Sequence, residues 1–294
     1  MIPPRTILAA IDFSDASTTA LVFAARLARH CQARLHVLHA EHPLLRAAAE
    51  QSGIDLAAQT REELQRAIAA APPAADCSPQ LHDVAGAAVD VILEVAGGQH
   101  ADLVVVGSRG MSGAEKLVFG STAEGLLRRS DVPVLVVPSG WTPPRAASVD
   151  LAGTGPVIAA VDMTESSLAG ARAACGLAST LGTAVAIVHV VPDLPVLARW
   201  KAHAATALLE RMAEARKELE GVARSLACSA PLESRVETGP IADRLAAIAG
   251  RAADRAPLLV LGKKAPHSGG GAPGTIAYRV LSLANVPVLM HVAP

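Results

Sequence analysis

Apolar and polar positions alternate along this chain in blocks rather than residue by residue. Short apolar runs such as Thr6–Ile11 and Arg34–Ala40 are bounded by polar residues, as expected of fully buried strands. Between them, Asp15–Ala33 is rich in Ala and Leu at helical spacing and follows the start signal Ser14-Asp15-Ala16-Ser17. The pattern then predicts one long helical stretch over Leu44–Ala71, ended by Pro72-Pro73. It continues with a strand near Gln80–Val84, a helix near Ala87–Gly97 and a strand at Leu103–Val106. A helix at Ser121–Arg129 and a closing strand at Pro133–Val137 complete the set. Strands that are apolar throughout and separated by helices form parallel sheets covered on both faces.

The pattern occurs twice. Ile7-Leu8-Ala9-Ala10-Ile11-Asp12 returns as Val157-Ile158-Ala159-Ala160-Val161-Asp162, and Val37-Leu38-His39-Ala40 as Ile187-Val188-His189-Val190. Val84-Ala85-Gly86 matches Glu237-Thr238-Gly239, and Leu103–Gly107 matches Leu258–Gly262. Val132-Pro133-Val134-Leu135 matches Val286-Pro287-Val288-Leu289. Five landmarks in one order indicate a tandem duplication. The expected domains are 1–140 and 155–294, joined by a Pro/Gly-containing linker. The fold class is therefore α/β, a doubly wound parallel sheet made twice.

Composition narrows the chemistry. Of 294 residues, 51% are hydrophobic but only 2% aromatic, so the cores must be built from Ala, Val, Leu and Ile. A net charge of −1 gives no electrostatic footprint for nucleic acid, and few aromatics are available to stack on bases. No apolar run reaches the roughly 18 residues of a membrane span, and the N-terminus has no signal-peptide pattern. Cys31, Cys77, Cys175 and Cys228 form no CxxC pair, and Cys31 and Cys175 read as helix packing residues of a reduced, cytoplasmic protein.

Several familiar chemistries are absent as motifs. There is no GxxxxGK[ST], no GxGxxG after the first strand, and Gly110-Met111-Ser112-Gly113-Ala114 misses the nucleophile-elbow pattern. His36, His39 and His42 are spaced by three, but an odd offset on a strand sends side chains to opposite faces, which argues against a shared metal. His39 has a repeat partner in His189, which favours a packing or hydrogen-bonding role.

One segment does carry chemistry. Gly107 ends an apolar strand, Gly110 lies three positions on, and nine residues later Gly120-Ser121-Thr122 opens a helix. Glycines permit close backbone approach, and a helix N-terminus presents unpaired N–H groups that suit phosphate. The competing reading is a surface loop with a capping box, Ser121-Thr122-Ala123-Glu124. Asp12 and Asp162 each sit at the C-terminal end of an apolar strand, where ligands bind in open α/β sheets. Asp12 could instead cap a helix, but Ser14 and Asp15 are available for that, leaving Asp12 free.

Gly107-x-x-Gly110, nine residues, then Gly120-Ser121 resembles the ATP-binding signature of the universal stress protein family, and the other landmarks extend the resemblance over both halves. It implies two five-stranded sheets of order 3-2-1-4-5, adenine nucleotide alpha hydrolase-like, with ATP over the ends of strands one and four. By that resemblance Ala10 and Asp12 sit beside the adenosine, Ala40 against the adenine, and Val106, Gly107 and Arg109 along the ribose. Gly110, Gly120, Ser121 and Thr122 hold the phosphates, and Mg²⁺ bridges phosphate oxygens with no protein metal ligand. Ala10 and Ala40 are smaller than the Pro and Val common there.

The second half departs further. Gly262-Lys263-Lys264-Ala265 has Ala at the second glycine, and the interval to Gly274-Thr275 is one residue shorter. A weaker second site is expected at Asp162, Val190, Gly262, Lys264, Gly274 and Thr275, with Lys263 and Lys264 as point charges for phosphate. The implied function is an ATP-binding stress or regulatory protein with little or no turnover and no catalytic residues. The alternatives are a slow Mg-dependent ATPase using Asp12 and an assembly module that binds no nucleotide. Neither nucleic acid nor membrane is an expected partner. The duplication suggests a pseudo-dimer within one chain, its closing strands near the interface, with a homodimer as a further assembly option.

Overall fold

The computed structural model describes residues 3–109, 120–142, 155–193, 201–251, 258–266 and 274–293. Its chain divides into two compact units, one built on Pro3–Ala152 and the other on Gly153–Lys264 with Pro273–Pro294.

In the first unit, β1 (Thr6–Ala10), β2 (Arg34–Glu41), β3 (Gln80–Ala85), β4 (Leu103–Gly107) and β5 (Val134–Val137) form a parallel sheet in the order β3-β2-β1-β4-β5. Ala9 is in register with Val37 on one side and Val105 on the other, so β1 lies at the centre. The Asp102 carboxylate accepts the N–H groups of Arg5 and Thr6 at 2.8 and 2.9 Å, fixing the entry of β4 against β1. Side chains of β1, β4 and β5 are almost wholly buried, as expected where helices cover both faces.

Helix α1 (Asp15–Cys31) begins at an N-cap Ser14 whose hydroxyl accepts the Ser17 N–H, and ends at Gln32 in the left-handed conformation. Its buried face includes Ala16, Ala20, Ala24, Ala25 and Ala28. Those small residues bring the helix so close that a Cβ at Gly107 would lie 2.8 Å from the Ala16 backbone. This glycine is required by helix-on-strand packing, a reason local sequence reading did not supply.

The predicted helix over 44–71 is broken. It resolves into α2 (Pro43–Gln51), α3 (Leu56–Ala69) and α4 (Pro72–Asp76). Gly53 at φ +66 stops α2, and Asp55 caps α3 by accepting the Ala58 N–H. Pro72-Pro73, expected as a terminator, instead open α4, where a missing N–H costs nothing. Helix α5 (Ala88–Gly98) and α6 (Ser121–Arg129) complete the unit.

The second unit repeats the plan with β6 (Val157–Ala160), α7 (Glu165–Leu181), β7 (Val185–Val191), α8 (Lys201–Ser225) and β8 (Leu232–Thr238). Helix α9 (Ile241–Arg251), β9 (Leu258–Lys264), α10 (Thr275–Leu283) and β10 (Val288–Ala293) follow. Its strand order is β8-β7-β6-β9-β10, the same relative order as in the first unit. Phe13 and Met163, one residue after each aspartate, are both left-handed at φ 63 and 65. Among the described residues no helix is long and apolar enough to cross a membrane.

Candidate functional site

The sheet reverses its winding between β1 and β4, and in open α/β sheets the crevice at such a switch point is where ligands bind. A cleft of about 320 Å³ occupies this crevice, within the size range of small-molecule sites. Of the predicted residues, Ala10, Asp12, Ala40, Val106, Gly107, Arg109, Gly120, Ser121 and Thr122 border it. Gly110 lies outside the described residues.

Gly120 is the N-cap of α6, at φ −68 and ψ 143, and no side chain caps this end. The capping-box reading of Ser121 is therefore corrected: Ser121 is the first helical residue and borders the cleft. The Gly120 N–H is held by the Ser108 carbonyl at 3.0 Å, while the next N–H groups have no intrahelical acceptor. Arg109 is exposed beside them. One end of the cleft thus gathers a helix N-terminus, two hydroxyls and a guanidinium. The other, with Ala10, Leu38, Ala40, Ala88 and Ile92, is apolar.

Asp12 is not free, contrary to the sequence expectation. Its Oδ1 accepts the Ser14 hydroxyl at 2.6 Å and the Ser14 N–H at 3.2 Å, and its own N–H donates to Ser17 Oγ. Ser17 Oγ in turn donates to the Ser14 carbonyl. The carboxylate thus orients the cap of α1, and the whole loop forms a closed hydrogen-bonded turn around the left-handed Phe13.

Sequence reading missed Leu38, His42, Leu45, Ala88 and Ile92 as lining residues. Leu38 was accessible in principle, lying two positions before Ala40 on the same strand face. Ala88 and Ile92 are spaced i, i+4 on α5. Leu45 depends on where α2 starts. His42 caps that helix, and Arg46 ties it to Glu41, which is 1% exposed, and more distantly to Asp83 at 3.9 Å. Burial, then the nearby Glu41 carboxylate, pushes the Asp83 carboxyl up, against His39, Arg46 and Arg61.

The three spaced histidines serve three separate ends. His36 Nδ1 meets His82 Nε2 at 2.9 Å in a stacked pair, His39 Nδ1 meets the Ile11 carbonyl at 3.0 Å, and His42 caps α2. His189 repeats the contact of His39, reaching the Val161 carbonyl at 2.7 Å.

In the second unit, Asp162 holds Thr164 as Asp12 holds Ser14, at 2.5 Å to the hydroxyl. Burial would raise its carboxyl, but hydrogen bonds from Thr164 and Ser167 outweigh that and hold it below the ordinary value. Gly262 is packed harder than Gly107: a Cβ there would lie 1.9 Å from the Ser166 carbonyl oxygen. Val190 is buried in β7, and Gly274 caps α10 ahead of exposed Thr275, again with no side-chain cap. Lys263 and Lys264 do not lie in a loop. Both continue β9, in register with Val292 and Ala293 of β10, and Lys263 is 5% exposed and already engaged. The picture of two lysines awaiting phosphate reduces to Lys264.

The fold is a doubly wound parallel α/β domain made twice, with a cleft at the β1/β4 switch point of the first unit. The profile of the universal stress protein family matches residues 4–138 and 154–291, and this chain belongs to that family. It is 32% identical over 142 residues to universal stress protein YxiE of Bacillus subtilis, covering 44% of this chain and 96% of the relative. It is 29% identical over 138 residues to universal stress protein MJ0531 of Methanocaldococcus jannaschii, covering 45% and 81%. A universal stress protein structure from Archaeoglobus fulgidus superposes with a TM-score of 0.68 over 98% of both chains. At 18% identity, that likeness speaks for the fold.

Proposed function

We propose that the first unit binds ATP with Mg²⁺ in the β1/β4 cleft, and that the chain is a nucleotide-dependent regulatory protein of the stress response with little or no turnover. The observation that carries this reading is the uncapped α6 N-terminus at Gly120, opening onto the cleft beside Ser121, Thr122 and Arg109. Those N–H groups, hydroxyls and guanidinium suit a polyphosphate. The apolar end, with alanines at 10, 40 and 88, suits a flat base.

Among the described residues no group of three or more His, Cys, Asp or Glu is placed to hold a metal. The fitting role for Mg²⁺ is therefore as a phosphate-bound ion that keeps its waters and neutralises the ligand's charge. What supports low turnover is that Asp12 Oδ1 accepts the Ser14 hydroxyl, a contact that turns this carboxylate toward orienting the loop. The test is mass spectrometry of small molecules released by denaturing the purified protein, followed by Mg-ATP titration and a phosphate-release assay. Bound or titratable ATP with negligible release supports the reading; steady release favours the ATPase alternative. No nucleotide at all favours the assembly module.

A further inference from the structure

Two of the four cysteines meet in the second unit. Cys175 lies on the buried face of α7, and Cys228, in the turn between α8 and β8, is near enough to shift its thiol. One helical turn on, Ser179 Oγ lies 2.7 Å from Ser229 Oγ, so the same two segments touch at adjacent positions. Cys175 is 5% exposed, whereas Cys228 is partly exposed.

The first unit supplies an internal control. Position 25 of α1 corresponds to 175 of α7, and there Cys77, in the segment entering β3, places its sulfur 3.5 Å from the Ala25 carbonyl. Position 29 corresponds to 179, and Arg29 pairs with Asp76 at 2.5 Å. Both units therefore dock a cysteine-bearing segment on the same helical turn, but only α7 offers a second thiol.

We propose that Cys175 and Cys228 are a reversible dithiol/disulfide pair, an oxidation site for hydroperoxides confined to the second unit. A hydroperoxide ROOH oxidises the accessible Cys228 thiol to sulfenic acid and leaves as ROH. The Cys175 sulfur then attacks the Cys228 sulfur, forming the disulfide and releasing water. Cys228 is partly exposed and Cys175 only 5%, so the oxidant reaches Cys228 first, while burial and then the Cys228 thiol raise the Cys175 thiol. The product staples α7 to the turn before β8, and a thiol reductant restores the pair. In a reducing compartment such a bond is transient and serves sensing rather than stability.

The test treats the folded, reduced full chain with hydrogen peroxide, counts remaining thiols and maps linked peptides without reductant. Two of the four thiols should disappear, with Cys175 linked to Cys228 at least about tenfold faster than any other pair forms, because contact raises the effective concentration. Cys228→Ser and Cys175→Ala should each abolish the link. Ala25→Cys should let the first unit form the corresponding link to Cys77. A folded chain that keeps all its thiols would overturn the proposal. So would links shared equally with Cys31, or a Cys175–Cys228 link that forms only in denaturant.

Discussion

The two units share a strand order, paired aspartates and matching left-handed residues, yet they end β4 and β9 differently. In the first unit β4 stops at Gly107 in register with Val137, and the next residue of the closing segment is Pro138. The Ser108 N–H still donates to the Val137 carbonyl, but its own carbonyl accepts from Gly120 and its hydroxyl from the Ser139 N–H, so the ladder goes no further. In the second unit Val292 and Ala293 stand where Pro138 and Ser139 stand, and β9 runs two residues further alongside them. The stretch that forms a loop beside the cleft in one unit is strand in the other. A duplicated fold can thus keep its core while the hydrogen bonds at one strand end differ, here with the Ser108 carbonyl given to the start of α6 rather than to the neighbouring strand.

The largest expected effect tests the shared part of that comparison. Gly262→Ala forces a Cβ against the Ser166 carbonyl, and Gly107→Ala a looser one against Ala16. Overpacking costs about 1–3 kcal/mol or more, and the Gly262 variant should be the worse of the two. Urea-unfolding midpoints check the order; equal, small losses would show that α1 and α7 do not approach these strands as described.

The next prediction moves second-unit residues into the first cleft. Ala40 and Ala88 correspond to Val190 and Ile241, both larger. Ala40→Val combined with Ala88→Ile should weaken ATP binding by about ten- to a hundredfold, by filling the apolar end, while leaving the unfolding midpoint nearly unchanged. Calorimetric titration reads it, and unchanged affinity would mean that the base does not lie there.

Asp12→Ala should act mainly on stability. It removes the acceptor that orients Ser14, so about 1 kcal/mol is expected, typical of a lost cap. Asp162→Ala should behave alike through Thr164. An ATP affinity that collapses in Asp12→Ala at unchanged stability would restore the direct ligand role read from the sequence.

The alternation of elements and the repeat were legible because buried strands and amphipathic helices leave periodic marks within a few residues. The boundaries of β1, β2, β4 and α6 fall within one residue of expectation for that reason. Most hidden features depend on distant partners, and one is a local break. The break at Gly53 sits in an otherwise continuous helical pattern, and the Gly107 requirement comes from α1. The continuation of β9 depends on the last two residues of β10, and the His36–His82 pair spans 46 positions. The cleft's polar end was legible as a glycine motif; Leu45 was not, since the start of α2 fixes its place.

The smallest effect concerns that histidine pair, which the second unit lacks at Ala186. Burial, then His82 and Arg34, lowers His36, and burial lowers His82. A histidine held below its ordinary 6.5 contributes stability above that value and loses it as pH falls through the folded value. Stability should therefore decline as pH drops below about 6.5, and His82→Gln should flatten the decline. Urea midpoints across that interval check it; an identical slope in the variant would rule the pair out as the cause.

The most direct test of the account is calorimetric titration of the intact chain with Mg-ATP, beside Gly120→Val and Gly274→Val. One nucleotide per chain is expected, with binding lost in Gly120→Val and retained in Gly274→Val, because only the first unit pairs an uncapped helix with an open strand end. Two equivalent sites, or binding untouched by Gly120→Val, would contradict it.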